Sequence, residues 1–286
     1  MKRTVEAHQT HRFASIGECI YCGTSEGLSD EHIIPFALGG KLVLPDASCK
    51  KCAAITSRTE RMALRGFMYE ARIVGNFPSR RRKGRPNALS TKLIGHNNIV
   101  VKCSIPVEEA SAFLFLPKFA RAAILSNQPP TAGITIVGQE ILHFGEDIEE
   151  LVRSRDAKGI EFTSTIQPTE FAKLLAKIAY GYLVAEMGLF SRNETPLLRL
   201  IRGETDDAGS WIGSHKYTLE VESKKPQHAL GIVLLDDPNN TQNFIVQVKL
   251  FSNTGATGYE VAARIPGWQR YVAQQGAPSD NTKRRG

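Results

Sequence analysis

Four of the five cysteines form two pairs with the same spacing. Cys19-x-x-Cys22 and Cys49-x-x-Cys52 are separated by 26 residues. Two intervening residues allow a tight turn that directs both sulfur atoms of a pair to one ion, and four thiolates give Zn²⁺ a closed tetrahedral site. A single pair would suit redox chemistry, but two pairs this close argue against it. The sequence therefore predicts a structural zinc, and Cys103 is expected to be a small buried side chain.

An acid and an imidazole lie side by side between the two cysteine pairs. Glu31 and His32 begin a stretch that continues as Ile-Ile-Pro and ends at Gly39-Gly40. An imidazole titrates near neutral pH and can therefore take a proton from a reacting group. The same stretch would also fit a hairpin with a polar start, so its interpretation depends on the elements around it.

The surrounding pattern predicts two strands followed by a helix. We expect strands at about 31–36 and 41–45 with the double glycine as the turn, and a helix from about Cys49 to Tyr69 with Ser48 or Asp46 as its N-cap. The apolar residues between the cysteine pairs are few. Metal binding would therefore supply folding energy that so thin a core lacks.

This order of elements resembles the HNH endonuclease family, whose ββα-metal module is often held by two Cys-x-x-Cys pairs. The resemblance covers about residues 17–65 and rests on Cys19, Cys22, Glu31-His32-Ile33-Ile34-Pro35, Gly39-Gly40, Cys49 and Cys52. It implies metal-assisted hydrolysis of a phosphodiester, with His32 as the general base that deprotonates water. Glu31 would be a ligand of Mg²⁺ or another divalent cation, distinct from the zinc.

Asp30 and Asp46 are two further candidates near the base. On a regular strand Asp30 and His32 share a face whereas Glu31 does not, so Asp30 is the second candidate for a metal ligand. Asp46 stands where the family has an Asn, and its carboxylate would accept a hydrogen bond from the His32 ring. An N-cap or turn role is the alternative for Asp46.

The predicted helix departs from the family at one position. Ala53 follows the last cysteine of the second pair, where the family commonly has a His or Asn metal ligand. Thr56 and Glu60 lie on the same helix face as Ala53 and are the candidate replacement ligands.

One segment carries the positive charge of the chain. The net charge is +7, and residues 50–92 hold twelve Lys and Arg against two Glu. Clustered cations of this kind are typical of a polyanion-binding face, and a solvated charged loop is the alternative. The candidate nucleic-acid contacts are Arg58, Arg61, Arg65, Arg80, Arg81, Arg82, Lys83 and Arg85.

The rest of the chain shows no catalytic signature. The clearest helix pattern covers 169–190, with Lys177 beside its apolar stripe. Four strand patterns near the C-terminus predict an antiparallel meander. The expected elements are a strand at 97–105, a helix interrupted at Pro117 over 106–127, a hairpin over 133–145, and strands at 215–223, 228–237, 243–251 and 259–265.

The predicted fold class is α+β. A small zinc-stapled, HNH-like ββα-metal module (1–75) would precede a basic linker without regular structure (76–98). A larger α+β domain with the antiparallel meander (99–274) and a disordered tail (275–286) would follow.

Composition narrows the class of protein. The chain has no apolar run of the ~18 residues that a membrane span requires, and its N-terminus lacks the apolar core of a secretory signal. We therefore expect a cytoplasmic protein.

The leading hypothesis is an HNH nuclease acting on nucleic acid, with DNA favoured over RNA. A zinc-dependent nucleic-acid-binding protein that has lost cleavage is the alternative, which Ala53 favours. A protein-interaction module would leave the basic segment unexplained.

Overall fold

The computed structural model describes residues 2–6, 10–80, 82–192, 195–215, 227–235 and 243–265. Helices and strands are mixed, and the N-terminal region with the four cysteines is followed by a sheet-rich region, so the α+β class is confirmed. Within the described residues, no helix is long and apolar enough to cross a membrane.

Thirteen strands and six α-helices make up the described chain. The strands are β1 (Lys2–Glu6), β2 (His11–Arg12), β3 (Leu28–His32), β4 (Leu42–Cys49), β5 (Ala88–Ile94), β6 (Val100–Pro106), β7 (Ser111–Phe119), β8 (Ile136–Gly145), β9 (Gly159–Glu161), β10 (Ile212–His215), β11 (His228–Leu235), β12 (Asn243–Leu250) and β13 (Gly258–Arg264). The helices are α1 (Lys50–Leu64), α2 (Tyr69–Val74), α3 (Ile148–Ser154), α4 (Pro168–Met187), α5 (Pro196–Ile201) and α6 (Ala208–Trp211). The sheets have the orders β1-β11-β12-β13-β10, β2-β4-β3, β6-β5-β9 and β7-β8.

The predicted strand-turn-strand-helix unit is present, with different bounds. β3 ends at His32, three residues before Pro35, which cannot donate to a strand ladder. The chain then turns through a short 3-10 helix that ends at Gly39 (φ 84°). A Cβ on Gly40 would lie 1.9 Å from the Ile34 carbonyl oxygen, so this close approach requires glycine. β4 continues to Cys49, which is the N-cap of α1 in place of Ser48 or Asp46.

Helix α4 is the central element of the fold. The predicted helix is confirmed: it begins with Pro168 in its first turn and runs for 20 residues. Most of its side chains are buried on all sides, against α1 and against β12 and β13 of the meander. One hydrophobic core contains Leu44 of the N-terminal region, Leu175 of α4 and Val246 of the meander. The division into domains stays a prediction.

Three predictions about the middle of the chain are wrong. The helix expected over 106–127 is strand β7, in which Ala112, Leu114 and Leu116 are buried with period two. The hairpin expected over 133–145 is the single strand β8, which pairs antiparallel with β7. The segment expected to be irregular contains β5 at residues 88–94, which pairs with β6 and β9.

The predicted strand at 97–105 and the antiparallel meander are confirmed, as β6 and as β11-β12-β13. Almost all of the strand expected at 215–223 and the tail expected at 275–286 lie outside the described residues.

Candidate functional site

The four predicted cysteines come together. Their sulfur atoms all lie within 4.8 Å of one another, and those of Cys22 and Cys49 are 3.7 Å apart. Tetrahedral Zn²⁺ with Zn–S bonds of about 2.3 Å needs sulfur atoms about 3.8 Å apart, so the cluster can hold a zinc ion. Three of the cysteines are buried, Cys22 is exposed, and none forms a disulfide.

The local backbone geometry positions the four cysteines for metal binding. The Gly23 N–H donates to the Cys19 carbonyl at 2.8 Å, and Gly23 has φ +85°, which closes the turn of the first pair. Because Cys49 is the N-cap of α1, Cys52 lies in the first turn of the helix. The Cys52 backbone N–H, together with the neighbouring thiols, lowers the pKa of Cys49 to about 7. The Cys49 thiolate is therefore accessible near neutral pH, whereas burial raises the pKa of Cys19 and of Cys52, so metal binding must displace their protons.

Glu31 lies in a buried cluster of charges with Glu60 and Lys177. The Lys177 Nζ atom is 2.6 Å from Glu31 Oε1 and 3.1 Å from Glu60 Oε1, and only 2% of the lysine side chain is exposed. Nζ also donates to the backbone carbonyls of His32 and, at 3.3 Å, of Ile33. Burial alone would lower the pKa of Lys177, but the two carboxylates outweigh it and the pKa is raised. Lys177 is therefore a charged ammonium.

Sequence reasoning missed Lys177 as a site residue, because the lysine was placed beside the apolar stripe of its helix. A signal was present in α4 itself. A helix that is apolar on nearly every side is buried, so a lysine within it needs carboxylate partners inside the protein.

A bulge between β3 and β4 explains how Glu31 and His32 line the same cleft. The ladder pairs Ser29 with Ser48 and Glu31 with Leu44, so three residues of β4 lie opposite Asp30 alone. Such a bulge re-aims the side chains beside it. The Asp30 carboxylate accepts a hydrogen bond from Arg12 at 2.8 Å, and this contact chiefly lowers the pKa of Asp30.

Asp46 is a residue of this bulge. Its backbone has φ +49°, a left-handed conformation that Asp tolerates better than most residues. Its carboxylate accepts a hydrogen bond from Ser15 Oγ at 2.7 Å. The sequence left two roles open for Asp46. The structure favours the role of a turn residue over that of a hydrogen-bond acceptor for the His32 ring.

His32 is half-buried at the cleft, with its ring centroid 5.7 Å from that of Phe36. Its Nδ1 atom is buried and has no hydrogen-bond partner among the described residues. Burial first, and then the positive charges of Lys177 and Arg80, lower the pKa of His32. The neutral imidazole, the form that accepts a proton, is thus favoured at neutral pH.

The candidate ligands of a catalytic cation do not converge on a free position. Glu31 and Glu60 share the ammonium of Lys177, and the Thr56 hydroxyl is buried and donates to the Ala53 carbonyl at 3.3 Å. Among the described residues, the four cysteines are the sole group of three or more acidic, His or Cys side chains placed to hold one ion. As they stand, these candidate residues do not fit a divalent cation.

The site opens into a basic cleft with a volume of about 830 Å³. Exposed Arg61, Arg65 and Arg80 line the cleft beside His32, and the Arg80 guanidinium lies 5.8 Å from the centre of the Phe36 ring. Guanidinium groups in a cleft of this kind can bind phosphate.

The other predicted contacts have different positions. Arg85 lines the cleft, but its guanidinium donates to the carbonyls of Phe77 (2.8 Å), Arg72 (3.1 Å) and Ile73 (2.6 Å) and so holds the end of α2. Exposed Arg58 and Lys83 are not among the lining residues. Arg81 and the side chain of Arg82 lie outside the described part of the chain.

Residues 19–65 match the model of a family described as HNH endonuclease. Over these residues the chain is similar to HNH endonucleases, and residues 19–65 are called the HNH segment below. No curated protein and no solved structure matches the chain. The HNH segment contains the four cysteines, Glu31, His32 and Glu60, whereas Lys177 comes from α4, far beyond its end. The similarity of this segment to the HNH family suggests nuclease activity on nucleic acid.

Proposed function

We propose that the protein is an endonuclease that hydrolyses phosphodiester bonds in nucleic acid, DNA rather than RNA, with His32 as the general base. The observation that carries the proposal is the position of His32, which lines a cleft with exposed arginines and belongs to a segment that matches HNH endonucleases. The lowered pKa of His32 supports the role, because a base must be unprotonated at working pH.

The proposed reaction is hydrolysis by an activated water. The His32 ring takes a proton from the water while its oxygen forms a bond to phosphorus. The bond from phosphorus to the leaving oxygen breaks, and that oxygen takes a proton from solvent. Arg61, Arg65 and Arg80 would stabilise the negative charge of the phosphate in the transition state. Lys83 and Arg58 would add sequence-independent attraction for the polyanion.

The structural zinc and the catalytic divalent cation have different roles in the proposal. Zinc at the cysteine cluster would hold β3, β4 and α1 together and supply folding energy. The resemblance to HNH nucleases also predicts a catalytic Mg²⁺ or another divalent cation at Glu31. No step of the proposed reaction uses that cation, since Glu31 and Glu60 are paired with Lys177. The four free thiols, which a reducing compartment keeps available for zinc, support a cytoplasmic location.

A second candidate function is nucleic-acid binding without cleavage. Ala53 in place of a metal ligand favours it, because the helix position that commonly completes the cation site carries no donor. The basic cleft would then bind the polyanion, and the zinc cluster would serve as a scaffold.

The test is nicking of supercoiled plasmid by pure, zinc-loaded protein, without added ions and with Mg²⁺, Mn²⁺ or Ni²⁺. The control is folded His32→Ala protein with the same zinc content. Cleavage by the wild type alone supports the proposal. No cleavage of plasmid, single-stranded DNA or RNA, together with tight and salt-sensitive binding, would overturn it and favour the second candidate.

A further inference from the structure

The buried ammonium of Lys177 stands between two carboxylates of the HNH segment. Glu31 comes from β3 and Glu60 from α1, and one oxygen of each lies within 3.1 Å of Nζ. Two carboxylates from two different elements that converge on one cation form an arrangement that could otherwise bind a divalent ion. Here the cation belongs to the chain itself.

All N–H donors of the Lys177 ammonium have acceptors within the protein. An ammonium group has three N–H donors. Four acceptors surround this one, namely the carboxylates of Glu31 and Glu60 and the backbone carbonyls of His32 and Ile33. No donor is left for a phosphate, so Lys177 acts through its neighbours and is a positioning residue.

Removal of this ammonium would be costly in the folded protein. Glu31 is 6% exposed, and a buried carboxylate without a partner carries a large desolvation penalty. The same ammonium fixes the backbone at His32, the proposed base. Partial compensation of the carboxylate charge and placement of the base thus depend on one side chain of α4.

From this arrangement we infer that Lys177 replaces the divalent cation of the site. Its ammonium lies between the carboxylates of Glu31 and Glu60, compensates part of their charge and fixes the end of β3. The cleft arginines meet the phosphate, so the site acts without an added divalent ion. The inference rests on the proposed nuclease function.

The activity test uses the full chain, zinc-loaded and passed through a metal-chelating resin, with its zinc content measured before the assay. We expect the wild-type nicking rate to change by less than about twofold when millimolar Mg²⁺ or Mn²⁺ is added, because no step needs Lewis-acid assistance. Wild-type nicking that appears only with the added ion would overturn the inference and leave the proposed nuclease function intact.

A binding test decides the inference even if no substrate is cleaved. Titration with Mn²⁺, followed by calorimetry or by electron paramagnetic resonance, should show no site in the wild type that depends on Glu31. Lys177→Met removes the ammonium at similar volume, and we expect at least about tenfold tighter Mn²⁺ binding, because two carboxylates are then uncompensated. Stoichiometric Mn²⁺ binding by the wild type that Glu31→Gln abolishes would overturn the inference, whether or not the Lys177 variant folds.

Lys173→Met is the matched control. Lys173 lies on the same helix, 17% exposed, and pairs with Glu170 at 2.9 Å. This variant should keep the wild-type nicking rate and the wild-type response to Mn²⁺. If it gained Mn²⁺ binding as Lys177→Met is expected to do, the effect would not be specific to the site, and the inference would fail.

Discussion

Lys177 and Tyr180 lie one turn apart on α4 and bind two different parts of the HNH segment. Lys177 contacts Glu31 beside the proposed base, and the Tyr180 hydroxyl donates to the Ile20 carbonyl, inside the first cysteine pair, at 2.7 Å. A helix outside the matched segment therefore supports both its metal cluster and its proposed catalytic strand.

The Tyr180 contact should stabilise the zinc cluster. Tyr180→Phe leaves the buried Ile20 carbonyl without this donor, and we expect the free energy of unfolding to fall by about 1–3 kcal/mol. Zinc should also be released faster to a competing chromophoric chelator. Tyr21→Phe is the control, because the Tyr21 hydroxyl is buried with no partner among the described residues. Equal destabilisation by both variants would contradict a specific role for the Tyr180 hydrogen bond.

Loss of a cysteine ligand should release the zinc and loosen the N-terminal region. We expect Cys52→Ser to lose bound zinc and to lower the free energy of unfolding by at least about 3 kcal/mol, since zinc binding is coupled to folding. Zinc content by mass spectrometry and urea unfolding measure the two effects. Cys103→Ser should retain zinc, because Cys103 lies on β6 outside the cluster. Full zinc content in the Cys52 variant would disprove the four-cysteine site.

Cleavage should persist into mildly acidic solution. Since the pKa of His32 is lowered from 6.5, the base stays neutral below that pH, and the rate should fall only as the pH drops through the lowered value. Arg80→Ala removes one positive charge that lowers this pKa, while Lys177 still lowers it and Glu60 and Asp30 still raise it. The acid limb of the pH–rate profile should therefore move to higher pH. Lys83→Ala should leave that limb in place, and an equal shift in both variants would refute the local effect of Arg80.

The same lowered pKa has a consequence for stability. The unfolded chain binds a proton at His32 more readily than the folded chain, so this residue lowers stability as the pH falls below about 6.5. Unfolding in urea at pH 7.5 and 5.5 measures the effect. His32→Gln should reduce the difference between the two pH values, and an unchanged difference would show that other groups cause it.

Two classes of arginine should respond differently to substitution. Arg65→Ala removes an exposed guanidinium of the cleft, and the slope of log affinity for DNA against log salt should fall by about one. Arg85→Ala removes three hydrogen bonds to backbone carbonyls and should instead lower the free energy of unfolding by about 1–3 kcal/mol. Fluorescence anisotropy at several salt concentrations and urea unfolding separate the two outcomes. If Arg85→Ala reduced the salt dependence of DNA affinity more than Arg65→Ala does, the two assignments would be reversed.

Local patterns were sufficient for the parts of the site that are close in sequence. The cysteine spacing predicted the metal cluster, and the apolar periodicity predicted α4. Lys177 could not be placed from its neighbours, because its carbonyl partner at His32 lies 145 residues earlier in the chain. Strand β7 was missed for a related reason. Its run of Ala, Phe and Leu fits a helix locally, and only the pairing with β8 selects the extended form.

In this hairpin, the separation of two positions counted in residues along the chain differs from their separation counted in paired residues along the strands. Asp46 was singled out because it stands where the HNH family has an Asn, but Pro45, Asp46 and Ala47 together face a single residue of β3. Across this bulge, the chain of β4 is longer than the part of β3 that lies opposite it. A count of residues from His32 therefore overstates how far along the paired strands Asp46 lies.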